Sequence, residues 1–159
     1  MLVTPPSLKE EHEEIMGSLN EFSRLQDKTG KSITELLDSL EPHFEKEERL
    51  AMPVLGTLSE LASGDKITTD LRAIAESQDA LRLEYDVMFE EHTELKRFIQ
   101  NARGFAKQEN HEDVVDLLDA LSHHARVEEE VLYPAALLAG TLAKCLLHSG
   151  EERQIREIA

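Results

Sequence analysis

The chain reads as an all-α protein, an up-and-down antiparallel four-helix bundle built from two helix-pair repeats. Three observations predict this. Four apolar stripes advance in steps of three and four residues, the helical period. Short polar stretches separate the stripes, and the pattern laid down between residues 12 and 53 returns 80 or 81 positions later.

The first helix is expected to start with Ser7 as its cap and to run to about Lys28, with Leu8, His12, Ile15, Leu19 and Phe22 on its inner face. Gly30 then reads as the C-terminal cap and Ser32 as the start of a second helix. That helix carries Ile33, Leu36, Leu40, His43, Glu47, Leu50 and Val54, with Pro42 and Pro53 bending or dividing it. A loop over residues 62–66 leads to Thr68 or Thr69, the expected caps of a long third helix extending to about Lys107. Its stripe is Leu71, Ile74, Gln78, Leu81, Tyr85, Met88, His92, Leu95 and Ile99, weakened near its end by Gly104. Asn110 is the expected cap of helix four, whose stripe is Val114, Leu117, Leu121, His124, Glu128, Val131, Ala135 and Leu138. The chain is expected to be one domain, 1–159, with its core over 8–148 and a short charged tail at 149–159.

Within the repeat, Glu10-Glu11-His12 returns as Glu90-Glu91-His92. Likewise His43-x3-Glu47-Glu48-x4-Pro53 returns as His124-x3-Glu128-Glu129-x4-Pro134. Two such pairs folded together bring four histidines and two glutamates toward one centre. A histidine and a glutamate four residues apart share a helix face at about 5–6 Å, close enough to bind one ion or two neighbours. A lone His-x3-Glu says little, because this glutamate-rich chain produces one by chance at His148 and Glu152. His12 by itself would be a core histidine more often than a ligand, and its match to His92 reverses that weighting. The candidate metal ligands are therefore His12, His43, Glu47, His92, His124 and Glu128. Imidazole mixed with carboxylate suits iron, manganese or zinc. The alternative, a polar core hydrogen-bonded to itself, leaves buried groups each needing a partner. His123 points away from His124 toward the surface or the edge of the site, and His111, Glu48, Glu90, Glu91 and Glu129 are expected to be solvated. Tyr85 reads as core packing with a possible place beside the pocket.

Composition narrows the function. With a net charge of −16 and a pI near 4.8, the surface would repel nucleic acid and anionic membrane alike, so no nucleic acid and no membrane partner is expected. The apolar run Val131 to Leu147 is short for a membrane span and contains Lys144, so it reads as a buried or partner-covered helix; a homodimer is the expected use of a covered face. The single cysteine, Cys145, and a start lacking a signal-peptide pattern point to the cytoplasm.

The arrangement His12, His43-x3-Glu47, His92, His124-x3-Glu128, over residues 8 to about 140, resembles the hemerythrin-like (HHE cation-binding) domain family. The resemblance implies a non-haem centre of two iron ions in a four-helix bundle, with both glutamates bridging, the histidines divided between the irons, and an oxo or hydroxo bridge. Members bind oxygen, sense oxygen, iron or redox state, respond to nitric oxide, or repair iron-sulfur centres. Oxygen carriers of the family place His-x3-His on the third helix and His-x4-Asp on the fourth. Here His92 is flanked four residues away by Met88 and Lys96. This makes the chain more similar to the sensing and repair branches, although their N-terminal cysteine-bearing domain is not evident. Three readings follow: a binding module for dioxygen, nitric oxide or iron; an enzyme turning over peroxide, nitric oxide or another oxidant; or a bundle that uses zinc or no metal.

Overall fold

The computed structural model describes residues 2–63 and 67–158, the stretch 150–158 as backbone alone. Among the described residues every regular element is helical: α1 Pro6–Phe22, α2 Lys28–Leu50, α3 Met52–Leu55, α4 Leu58–Ser63, α5 Leu71–Glu109, α6 Glu112–Val127, a π-helical turn Glu128–Leu132, and α7 Tyr133–Ile158. Helix α5 is the spine, packing on α2, α6 and α7, while α1 lies against α2 and α6.

Several boundaries differ from expectation, α2 and α5 because an aspartate other than the expected residue makes the cap, α1 and α6 because no side chain caps them. Helix α1 starts with Pro6, whose fixed φ and missing N–H suit a first turn, and Ser7 makes no cap. It stops at Phe22, because Asp27 already caps the next helix, its carboxylate accepting from Gly30 N at 3.0 Å. Gly30 thus sits inside the first turn of α2. A Cβ there would fall 2.0 Å from the Leu25 carbonyl oxygen, so the close approach of the 23–27 turn requires glycine. Asp70, not a threonine, caps α5 by accepting from Arg72 N at 2.9 Å. Thr68 and Thr69 instead bind the Glu60 carboxylate of α4. Asn110 ends α5 in the left-handed region, φ 63°, which Asn tolerates, and His111 occupies the cap position of α6. His111 Nε2 lies 2.7 Å from the Asp27 carboxylate, and Glu109 accepts from Thr29 N at 2.9 Å. His111 is therefore part of a capping network joining the α1–α2 and α5–α6 turns rather than a solvated side chain. Ala62 and Ser63, expected in a loop, end α4; Gly64, Asp65 and Lys66 lie outside the described residues.

Pro42 is accommodated inside α2, whereas at Pro53 the chain breaks, ending α2 and opening α3. The second half answers Pro134 differently. Proline cannot donate to the carbonyl four residues back and its ring crowds that carbonyl. The chain here widens into the π turn, in which Tyr133 N–H reaches the carbonyl of Glu128 five residues back. This corrects the expected fourth stripe. Val131 and Leu138 are 54% and 69% exposed, and the inner face passes to Tyr133, Ala136, Ala139 and Ala143. Helix α7 packs so closely on α5 that a Cβ at Gly140 would lie 2.1 Å from Gln78 Cβ. By length and composition the helical span Glu112–Ser149 could cross a membrane; 28% of its most apolar window is buried.

The apolar core divides in two. One cluster gathers Ile15, Leu19, Ile33, Leu36, Leu95, Ile99, Leu118 and Leu121, and the other Val54, Ile74, Leu81, Met88, Tyr133 and Ala136. Along α5, His92 falls between the residues given to the two clusters, as Glu47 does along α2. A buried polar layer therefore separates two dry layers.

Candidate metal centre

Four helices supply that layer. Helix α1 contributes His12; α2 contributes His43 and, one turn on, Glu47; α5 contributes His92; α6 contributes His124, with Glu128 opening the π turn. All six are buried, none more than 7% exposed. The structure brings every predicted ligand together. Glu47 Oε1 lies 3.3 Å from His43 Nε2, and Glu128 Oε1 lies 2.8 Å from His124 Nε2. The carboxylates also reach across the helices, Glu128 Oε2 to His92 Nε2 at 3.5 Å and Glu47 Oε2 to His12 Nε2 at 3.6 Å.

The ligand atoms fall into two sets, each spanning no more than 4.8 Å: His43, Glu47, His92 and Glu128, and His12, His124 and Glu128. Glu128 belongs to both. Three of the facing atoms, His43 Nε2, Glu47 Oε2 and His124 Nε2, are buried without a properly aligned hydrogen bond. Leaving such atoms unmatched costs about 1–3 kcal/mol each, and a cation accepted by all of them removes that cost. Neutral imidazole and ionised carboxylate are borderline-to-hard donors, so the set fits iron.

Each histidine turns Nε2 inward and offers Nδ1 to an outer carboxylate on another helix. Glu48 is 3.3 Å from His12, Glu91 is 2.9 Å from His43, Glu129 is 3.0 Å from His92, and Glu11 is 3.1 Å from His124. Such contacts select the tautomer that presents Nε2 to a metal and raise its basicity. This corrects the expectation that Glu48, Glu91 and Glu129 are merely solvated; Glu90 is exposed, as expected. The signal was present in the sequence, because Glu11 and Glu48 recur as Glu91 and Glu129 at the same offset as the ligands. His123 is exposed beside Arg126.

The two sides of the centre are not alike. Lys46 ties down Glu91, and Lys96 holds Glu129 at 2.7 and 2.8 Å. Glu11 is half-exposed, and among the described residues neither it nor Glu48 contacts a lysine. The His12 ring is held differently, stacked on Phe44 at 3.6 Å and 6°. A surface cavity of about 210 Å³ opens beside it, lined by His12, Glu13, Met16, Glu41, Phe44, Glu45 and Glu48. On the other side stands Tyr133, which the helical period hid. Its hydroxyl donates to Glu47 Oε1 and lies 3.2 Å from His92 Nε2. Tyr85 is half-buried against Tyr133, 6.2 Å between ring centres, and does not reach the ligands.

The electrostatics of the layer are those of coupled opposite charges. Burial opposes ionisation of Glu47, but His43, His92 and Tyr133 outweigh it and hold the carboxyl far below its ordinary range. Burial likewise disfavours charge on His124, yet Glu128 and Glu11 push it up to about 9; His43 is raised against burial by Glu47 and Glu91. Burial and the nearby charges of Glu47 and Glu128 raise the Tyr133 phenol. Burial of Glu91 and Glu129 is outweighed by Lys46 and Lys96 respectively, so both carboxyls are lowered.

Two predictions arise here. The depressed carboxyls stabilise the metal-free fold above their ordinary value of 4.5 and lose that contribution as pH falls below it. The raised histidines contribute fully below 6.5 and lose it as pH rises, for His124 through about 9. Thermal midpoints of metal-free protein should therefore peak between these limits; a midpoint still climbing beyond pH 9 would contradict the assignment. Secondly, Glu91→Ala and Glu129→Ala should each weaken metal binding about 10- to 100-fold in chelator competition, while Glu90→Ala should not.

A hemerythrin family model, the hemerythrin HHE cation-binding domain, matches residues 6–136. The chain belongs to that family. The match spans all six ligands and ends just beyond Tyr133, so the buried His/Glu cluster of this hemerythrin-family chain is a metal-ion site, with iron the expected ion. Among curated proteins and solved structures, none matches the chain significantly.

Proposed function

We propose that this chain is an up-and-down bundle of two helix-pair repeats holding two iron ions, and that it binds or senses dioxygen, nitric oxide, iron or redox state through them. One ion is assigned to His43 and His92, the other to His12 and His124, with Glu47 and Glu128 between. The observation that carries this reading is Glu128, whose two oxygens face histidines of both sets, Oε1 toward His124 and Oε2 toward His92. A carboxylate so placed is suited to bridging two cations. The repetition of the outer carboxylates with the ligands supports the duplicated helix pair. The residues hold the ions, orient the imidazoles and exclude water between two apolar layers; the iron supplies reversible binding of small oxidants and electron transfer.

A second reading, an enzyme acting on peroxide or nitric oxide, is favoured by the surface cavity that opens beside His12, a member of one ligand set. Metal analysis of protein purified without added metal, together with its visible spectrum, tests the common premise. About two irons per chain support it, and zinc alone or no metal overturns it. Stopped-flow mixing of the iron-loaded protein with peroxide or nitric oxide separates the two: stoichiometric, single-event consumption marks a binding module, and repeated turnover marks an enzyme.

A further inference from the structure

The two halves of the centre repeat the six predicted ligands and their outer carboxylates, and they differ beneath the second glutamate of the pair. The residue 81 positions before Tyr133 is Met52, also buried, which has no oxygen to offer. Tyr133 is 1% exposed, and its hydroxyl touches two atoms that face the cluster, Glu47 Oε1 and, at 3.2 Å, His92 Nε2. Two donors at right angles on one ion, each about 2.1 Å from it, stand about 3 Å apart. The Tyr133 oxygen is thus spaced from His92 as a neighbouring ligand would be. Among the described residues the hydroxyl meets no group outside the cluster; its partners are Glu47 and His92. The small cavity beside the ring is lined by Ala51, Met52, Leu55 and Leu132 on its apolar side and by Glu47 and Glu128 on the side of the cluster, so the phenol oxygen is turned toward the cluster. The π turn points the same way. It is the local widening that brings Tyr133, rather than Leu132, under Glu128, and such bulges recur at functional sites.

We propose that Tyr133 is a further metal donor, its phenol oxygen binding the ion held by His43 and His92. This rests on the cluster holding iron, as proposed above. On coordination the O–H bond breaks, the oxygen keeps the electron pair and shares it with the ion, and the proton leaves to solvent; no electron is transferred. Phenolate is a hard, anionic donor, suited to ferric iron. The consequence is an inequivalent pair. The His43/His92 ion gains a protein ligand in place of an exchangeable one, and incoming molecules are directed to the His12/His124 ion, beside which the surface cavity opens.

The chain has two tyrosines, which makes the test direct. Wild type, Tyr133→Phe and Tyr85→Phe are loaded with ferrous iron without oxygen and oxidised with ferricyanide. Iron content, visible absorption and resonance Raman spectra are then compared. The expected result is a phenolate-to-ferric charge-transfer band with enhanced tyrosine ring modes in wild type and in Tyr85→Phe, where Tyr133 is the only tyrosine left. In Tyr133→Phe the band disappears while bound iron is retained. An iron-loaded wild type without the band, or a band that survives in Tyr133→Phe, overturns this proposal alone. Absence of iron from all three overturns it together with the reading on which it rests. Should Tyr133→Phe fail to fold, the Tyr85→Phe spectrum still decides: with its band the proposal stands, and without it the proposal fails.

Discussion

Replacing Glu47 and Glu128 together by glutamine is expected to yield a helical protein that retains no stoichiometric iron after desalting. Both carboxylates are buried at the contact of the two histidine sets, and they are the only anions among the six predicted ligands. Glutamine keeps their shape but removes two negative charges, and the four imidazoles that remain, enclosed between two apolar layers, bring no negative charge of their own. Moving a cation into such a layer without compensating anions costs several kcal/mol, which imidazole contacts alone do not restore. The single variants should differ. Glu47→Gln leaves the His12, His124 and Glu128 set intact, whereas Glu128→Gln removes a donor from both sets. Iron content should therefore fall further in Glu128→Gln than in Glu47→Gln, read by metal analysis with circular dichroism confirming the helices. Full iron in the double variant would refute the ligand assignment.

The second large effect is on stability. A ligand that binds only the folded chain stabilises it by about 4 kcal/mol at a free concentration roughly a thousand times its Kd. For a chain of this size that corresponds to a shift in Tm of roughly 8–16 °C. The six predicted ligands come from four separate helices, so the unfolded chain offers no equivalent site, and a metal bound by them would link α1, α2, α5 and α6 at their common centre. Removing iron with a chelator and remeasuring the melting curve should reveal the drop, and restoring iron should reverse it. Equal midpoints with and without metal would mean that the polar layer is held by its own hydrogen bonds. The double glutamine variant should melt at one temperature whether or not iron is added, which ties the shift to the site.

The helical period made most of the bundle legible. On α2 every stripe residue except the half-buried Leu50 is buried, and on α5 only Leu71 and Tyr85 are partly exposed. Periodicity works there because an uninterrupted helix returns to the same face every three or four residues. It failed after Glu128, where Pro134 forces a wider turn and rotates the inner face from Val131 and Leu138 to Tyr133 and Ala136. The caps were misassigned for a related reason. Ser32, Thr68, Thr69 and Asn110 all have suitable side chains, but which polar residue caps a helix depends on where the preceding turn delivers it. Asp27, Asp70 and His111 occupy those places.

By itself the sequence determined the helical class, the family and the six residues that gather in the buried polar layer, because residue type and spacing along a helix decide which groups share a face. The repeat at an offset of 80 or 81 also carried the outer glutamates, although their role needed contacts between helices to be seen. Only the tertiary structure decided how the ligands divide into two sets sharing Glu128, which outer carboxylates are anchored by lysines, and that Tyr133 stands at the centre. Those facts depend on the approach of segments 37 to 116 residues apart and on a local departure from the α-helical period. No rule of spacing along a single helix contains either.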